Sequence, residues 1–113
     1  MNLKKVLTET EARIITGNEE MDRECRGFYV SDLLSDVMGH AQEGEVWLTI
    51  QTHSNVVAVA LLLNLAAVLF TAGAEPDPAT IEKARAEGVV LLGTALPAFE
   101  AAGRLYRALT EEK

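Results

Sequence analysis

The chain has 113 residues, 49% of them hydrophobic, which suits a single domain able to fill a core without a metal or a disulfide. Its 10 basic residues against 17 acidic ones, a formal charge of −7, argue against the clustered cationic surface that holds nucleic acids. One cysteine, Cys25, excludes an internal disulfide and any cysteine-pair zinc or iron–sulfur motif within the chain. The opening MNLKKVLTETEAR carries charged and polar residues where a secretory leader has its apolar block, so a cytoplasmic chain is expected.

In chain order, Leu3 to Thr8 predicts a short helix, with Leu3, Val6 and Leu7 on one side. Ala12 to Thr16 reads as a strand stopped by Gly17, and Asn18 to Glu24 as a polar loop. Gly27 to Val30 is a second strand leading to Ser31-Asp32, either of which can cap a helix. That helix presents Leu33, Leu34, Val37, Met38 and Ala41. Glu43-Gly44-Glu45 is a turn.

Val46 to Ala74 then runs without one Asp, Glu, Lys or Arg. It is long enough to raise a membrane span, which takes about 20 apolar residues. The polar island Gln51-Thr52-His53-Ser54-Asn55 interrupts it, Asn64 divides the remainder, and its flanks Glu43, Glu45, Glu75 and Asp77 are acidic rather than basic. The run therefore reads as strand (Val46–Ile50), polar turn, buried helix (about Asn55–Leu63) and strand (Ala66–Phe70). Asp77-Pro78 starts a helix that Gly88 ends. Val89 to Leu92 is a fifth strand. Thr94 is expected to cap a last helix with Leu96, Phe99, Gly103, Tyr106 and Leu109 along its stripe.

Apolar strands separated by helices imply an α/β fold: an open three-layer sandwich, a mostly parallel sheet of about five strands covered by helices on both faces. In such sheets ligands bind beyond the C-terminal strand ends, near helix N-termini. The residues found there are Ser31, Asp32, Thr52, His53, Ser54, Asn55, Thr71 and Thr94, which serve equally well as helix caps. His53 suits an anion, a carboxylate or a general-base role, and Asp32 is the carboxylate placed to orient it. No nucleophile elbow and no phosphate-binding Gly-x-x-x-x-Gly-Lys-Ser/Thr loop is present. His40, His53 and Cys25 lack metal-ligand spacing, so neither a metal nor a cofactor is expected. The helix from Val56 to Leu63 has no polar face, which points to a homodimer with this helix, or the adjoining sheet edge, near the contact.

The segments GFYVSDLLSDVMGHA, VWLTIQTHSNVVAVALLLNLAAVLFTAG and LLGTALPAFEAAGRLY, in this order, resemble the DRTGG domain family over nearly the whole chain. A single domain spanning residues 1–113 is expected. The resemblance is to the family's small free-standing members, some of them similar to the non-catalytic N-terminal region of HPr-serine kinases. Thr71-Ala72-Gly73 stands where Thr-Gly-Gly is expected, and Thr52-His53 where many members carry Asp-Arg. The resemblance implies a regulatory or interaction domain that commonly dimerises and does not catalyse. The function expected is therefore a non-catalytic sensor acting on a partner enzyme, binding a small anionic metabolite or nucleotide at the sheet's C-terminal edge. The alternative is a small enzyme using His53 and Asp32 as an acid–base pair on a phosphoester or acyl substrate. Neither a nucleic-acid nor a membrane partner is expected.

Overall fold

Five strands and five helices alternate along the chain, each close to its expected place. A computed structural model describes residues 1–112. The elements are α1 (Leu3–Thr10), β1 (Arg13–Thr16), a 3₁₀ turn (Asn18–Glu20), β2 (Gly27–Val30), α2 (Leu34–His40), β3 (Glu45–Thr49), α3 (Asn55–Leu63), β4 (Ala67–Phe70), α4 (Pro78–Glu87), β5 (Leu91–Gly93) and α5 (Ala98–Glu111). The uncharged run divides into β3, α3 and β4. Among the described residues no helix is long and apolar enough to cross a membrane.

One sheet has the order β1-β5-β4-β3-β2, with β2 to β5 parallel and β1 antiparallel on the outer edge of β5. Alternation along the strands sends Val46, Leu48, Ala67, Leu69 and Leu92 to a core shared with Leu3 and Val6 of α1 and Ala101 and Leu105 of α5. Trp47, Val68, Phe70 and Leu91 face the opposite core, with Val37 of α2, Val56, Val57, Val59 and Ala60 of α3, and Ala84 of α4. Both faces are covered, which is why the central strands carry no charge. Because the parallel strands are laid down in one direction, the three crossover helices share one face. α1 and α5 cover the other face, to which the chain returns after β5.

Helix ends follow local chemistry. Asn2 caps α1 by accepting the Lys5 amide at 3.0 Å. Asn64 (φ 56°) and Gly88 (φ 71°) end α3 and α4 in the left-handed conformation, as expected. Asp77 opens α4 through its main-chain carbonyl, which accepts Thr80 and Ile81, and its side chain makes no cap bond.

Three expectations are corrected. Neither Ser31 nor Asp32 caps α2, which starts at Leu34, because Ser31 Oγ accepts the Leu33 amide and the Asp32 carboxylate reaches across to β3. Thr94 does not cap α5, which begins after Pro97, because its buried hydroxyl donates to the Thr10 carbonyl at 2.6 Å. The α5 stripe is inverted: Ala101, Leu105 and Ala108 are buried, while Phe99 is 91% and Tyr106 70% exposed. Small residues on the inner face let α5 lie close to the sheet and α1, and the aromatics are left outside. On the other layer Leu62 is 69% exposed, beside a shallow apolar hollow lined by Leu34, Met38, Ala58 and Val59.

Candidate functional site at the sheet's C-terminal edge

The candidate residues lie at the C-terminal ends of β2, β3, β4 and β5, and hydrogen bonds join the first two groups. Asp32 Oδ1 accepts both the Thr49 hydroxyl and the Ile50 amide, each at 2.9 Å. The Gln51 side chain donates to the Asp32 carbonyl at 2.8 Å, and the Gln51 amide donates to Thr49 Oγ1 at 3.1 Å. Trp47 Nε1 donates to the Ser31 carbonyl at 2.8 Å, so four side-chain hydrogen bonds pin the loop after β2 to β3 and the two residues that follow it. Thr49 is thus a structural member of the cluster that sequence reading did not assign, while Gln51 belongs to the polar island already singled out. Thr49 reads as an ordinary strand residue, and only the β2–β3 register reveals its partner.

Beyond β3, the Thr52 carbonyl accepts the Thr80 hydroxyl at 2.7 Å and the Asp77 amide at 3.1 Å, anchoring the island to α4. His53 Nδ1 accepts the amide of Asn55, the first residue of α3, at 3.2 Å. That bond leaves Nδ1 unprotonated, so a neutral His53 carries its proton on Nε2, a donor for an acceptor atom of a ligand. The amides of Thr52, His53 and Ser54 have no protein acceptor among the described residues. Asp32 and His53 are not hydrogen-bonded to each other: each is held by its own loop. The orienting contact that an acid–base pair needs is therefore missing from this arrangement.

After β4 the chain makes a tight turn. The Ala74 amide donates to the Thr71 carbonyl at 3.0 Å, and Ala72 and Gly73 both have positive φ, 55° and 71°. This is the pattern of a type I′ turn, which favours glycine or asparagine at both central positions. The amides of Thr71, Ala72 and Gly73 are taken by the carbonyls of Thr49, Leu96 and Thr94. The turn therefore offers no free amide cradle. Its unusual group is the Thr71 hydroxyl, fully buried and without a hydrogen-bond partner among the described residues.

The loop after β4 leaves toward α4 on one face, and the loop after β5 toward α5 on the other. Adjacent parallel strands whose loops diverge this way open a crevice at their C-terminal ends. Here it is a hollow of about 270 Å³ lined by Arg13, Gly73, Ala74, Glu75, Gly93 and Thr94. Arg13 is paired with Glu75 there. Thr94 cannot offer its hydroxyl, which donates to Thr10 and accepts the Leu96 amide at 3.1 Å. Among the described residues no three His, Cys, Asp or Glu side chains gather to hold a metal ion.

Residues 5–108 match the model of the DRTGG domain. The chain belongs to the DRTGG domain family. Among solved structures, the CBS and DRTGG domains of the regulatory region of Clostridium perfringens pyrophosphatase, complexed with the activator diadenosine tetraphosphate, share its fold with a TM-score of 0.72. The identity is 18%, over 92% of this chain and 45% of that one, so the present DRTGG chain spans less than half of that structure's length. No curated protein matches the chain. Within the DRTGG domain, Ala72 keeps the backbone of the glycine expected at its place, φ 55°, despite its β-carbon.

Proposed function

We propose that this DRTGG domain is a non-catalytic regulatory module that senses a small anionic metabolite or nucleotide at the C-terminal edge of its sheet. It passes that signal to a partner enzyme and works as a homodimer. The observation that carries the reading is the Thr71 hydroxyl. A buried hydroxyl without a partner is costly, and a polar group brought to the strand end by a ligand would relieve that cost. It stands at the end of the central strand β4, next to the strained residue Ala72.

Beyond the end of the neighbouring strand β3, Thr52, His53 and Ser54 present three amides in succession, and His53 Nε2–H adds a fourth donor suited to an anion. Ser31, Asp32 and Asn55 border the same edge, with Asp32 as an acceptor for a ligand hydroxyl. Thr94 fixes the loop from below. The pyrophosphatase region that shares the fold is complexed with a nucleotide activator, which favours a nucleotide among the anions. The missing hydrogen bond between Asp32 and His53 also weighs against the enzyme alternative, since an acid–base pair needs its carboxylate to orient the imidazole.

Calorimetric titration with diadenosine tetraphosphate, ATP, AMP and inorganic phosphate tests the reading. His53→Ala should weaken binding of the tightest of these by about tenfold, the loss of one hydrogen bond to a charged group, and leave the fold intact. Equal affinity in the two proteins refutes the site.

A further inference from the structure

Helix α5 turns an aromatic stripe to solvent. Phe99 and Tyr106 are 91% and 70% exposed, and Gly103 lies between them with open space around its Cα. On one flank of the stripe sit Glu100 and Arg107, with a dimple of about 270 Å³ lined by Phe99, Glu100, Gly103, Arg104 and Arg107. Arg104 Nη2 donates to Glu100 Oε2 at 2.7 Å, while Arg107 has no ion-pair partner among the described residues. Two large aromatics on the outer face of a helix whose buried face is Ala101, Leu105 and Ala108 call for a partner.

The arrangement is self-complementary. Phe99 lies four residues before Gly103 and Tyr106 three after it, while Glu100 lies three before and Arg107 four after. A two-fold axis at Gly103 that pairs α5 antiparallel with its copy places Phe99 beside Tyr106 of the copy, since residues four before and three after differ in height by only about 1.5 Å. The same operation keeps each flank on its own side, so Glu100 meets the opposite charge of Arg107, twice. Glycine at the axis lets the backbones approach. The surface charges of α5 (Glu100, Arg104, Arg107, Glu111) cancel, so two acidic chains meet here without local repulsion.

We propose that the homodimer forms through α5, packed antiparallel on a second copy about Gly103. The inference rests on the homodimeric reading above and adds its interface. Exposed apolar surface on α2 and α3, around Met38 and Leu62, is the competing face.

Sedimentation velocity on the 113-residue chain from 1 to 100 µM, with four variants, decides between them. Gly103→Glu brings two carboxylates together at the axis and should give a monomer. Glutamate is the better helix former, so at a concentration where both proteins are monomeric Gly103→Glu should melt no lower than the wild type. Glu100→Arg and Arg107→Glu should each weaken the dimer about tenfold, two surface ion pairs lost per dimer, and the double swap should restore it. A dimer that survives Gly103→Glu but falls apart in Leu62→Glu overturns the α5 interface and leaves the homodimer standing. A wild-type monomer at 100 µM overturns both.

Discussion

Thr71 and Thr94 end neighbouring strands, are both buried, and differ in what their hydroxyls do, so one substitution made at each should have opposite effects. Thr71 Oγ1 has no partner among the described residues. Replacing it with the similarly shaped valine removes an unpaired polar group and should stabilise the ligand-free fold by about 1–2 kcal/mol. Thr94 Oγ1 donates to the Thr10 carbonyl and accepts the Leu96 amide. Thr94→Val breaks both bonds and strands their partners, a loss of about 2–3 kcal/mol. Urea unfolding slopes for small domains are about 1–3 kcal/mol per molar. The two variants' midpoints should therefore lie about 2 M apart, on either side of the wild type, with unchanged slope. A Thr71→Val midpoint that falls in step with Thr94→Val would show that the hydroxyl has an internal partner and remove the main support for a site at β4. If the site is real, Thr71→Val should gain stability and lose ligand affinity together.

Three further outcomes follow from local geometry. Ala72→Gly relieves a left-handed residue worth about 1–2 kcal/mol against about 0.4–1 kcal/mol of added unfolded-state freedom. A net gain of about 0.5–1 kcal/mol, read as a higher melting temperature, is expected, and a fall would contradict the turn. Burial pushes the Cys25 thiol up to about 11 from 9.0, which cuts its thiolate fraction about a hundredfold. Iodoacetamide at pH 8 should label it at least that much more slowly than a free thiol, and rapid labelling of the folded protein would count against the burial. The Tyr29 hydroxyl, then Ser31 and His40, hold the Asp36 carboxyl below its usual range. A carboxylate lowered on folding stabilises above its unfolded pKa and loses that contribution as pH falls through the folded value. Asp36→Asn should flatten the loss of stability below about pH 4, and an unchanged acid limb would show that the pairing contributes nothing.

The alternation of elements was legible because the buried strands are apolar throughout and their punctuation is local. Gly88, Asn64 and the Asp77-Pro78 start mark boundaries by conformational preferences that need no tertiary partner. The α5 face was not legible in the same way. Two sets of apolar residues share that helix, and side-chain bulk favoured Phe99 and Tyr106, while close approach to the sheet selected Ala101 and Ala108. The caps were misassigned for a related reason: Ser31, Asp32 and Thr94 have the chemistry of helix caps, but their partners come from Ser31's own loop, from β3 and from α1. The solitary hydroxyl of Thr71 depends on what is absent around it, which no sequence pattern encodes. The DRTGG resemblance named the turn that follows it, and the positive φ values at Ala72 and Gly73 supply the physical reason that turn favours glycine.

The most direct test of the sensing role is native mass spectrometry of the chain purified gently from cells, wild type beside His53→Ala. A sensor of this kind should appear as a dimer carrying a small phosphorylated compound in the wild type, with that compound lost or strongly reduced in the variant. Identical spectra for the two proteins, with no small molecule retained in either, would contradict it.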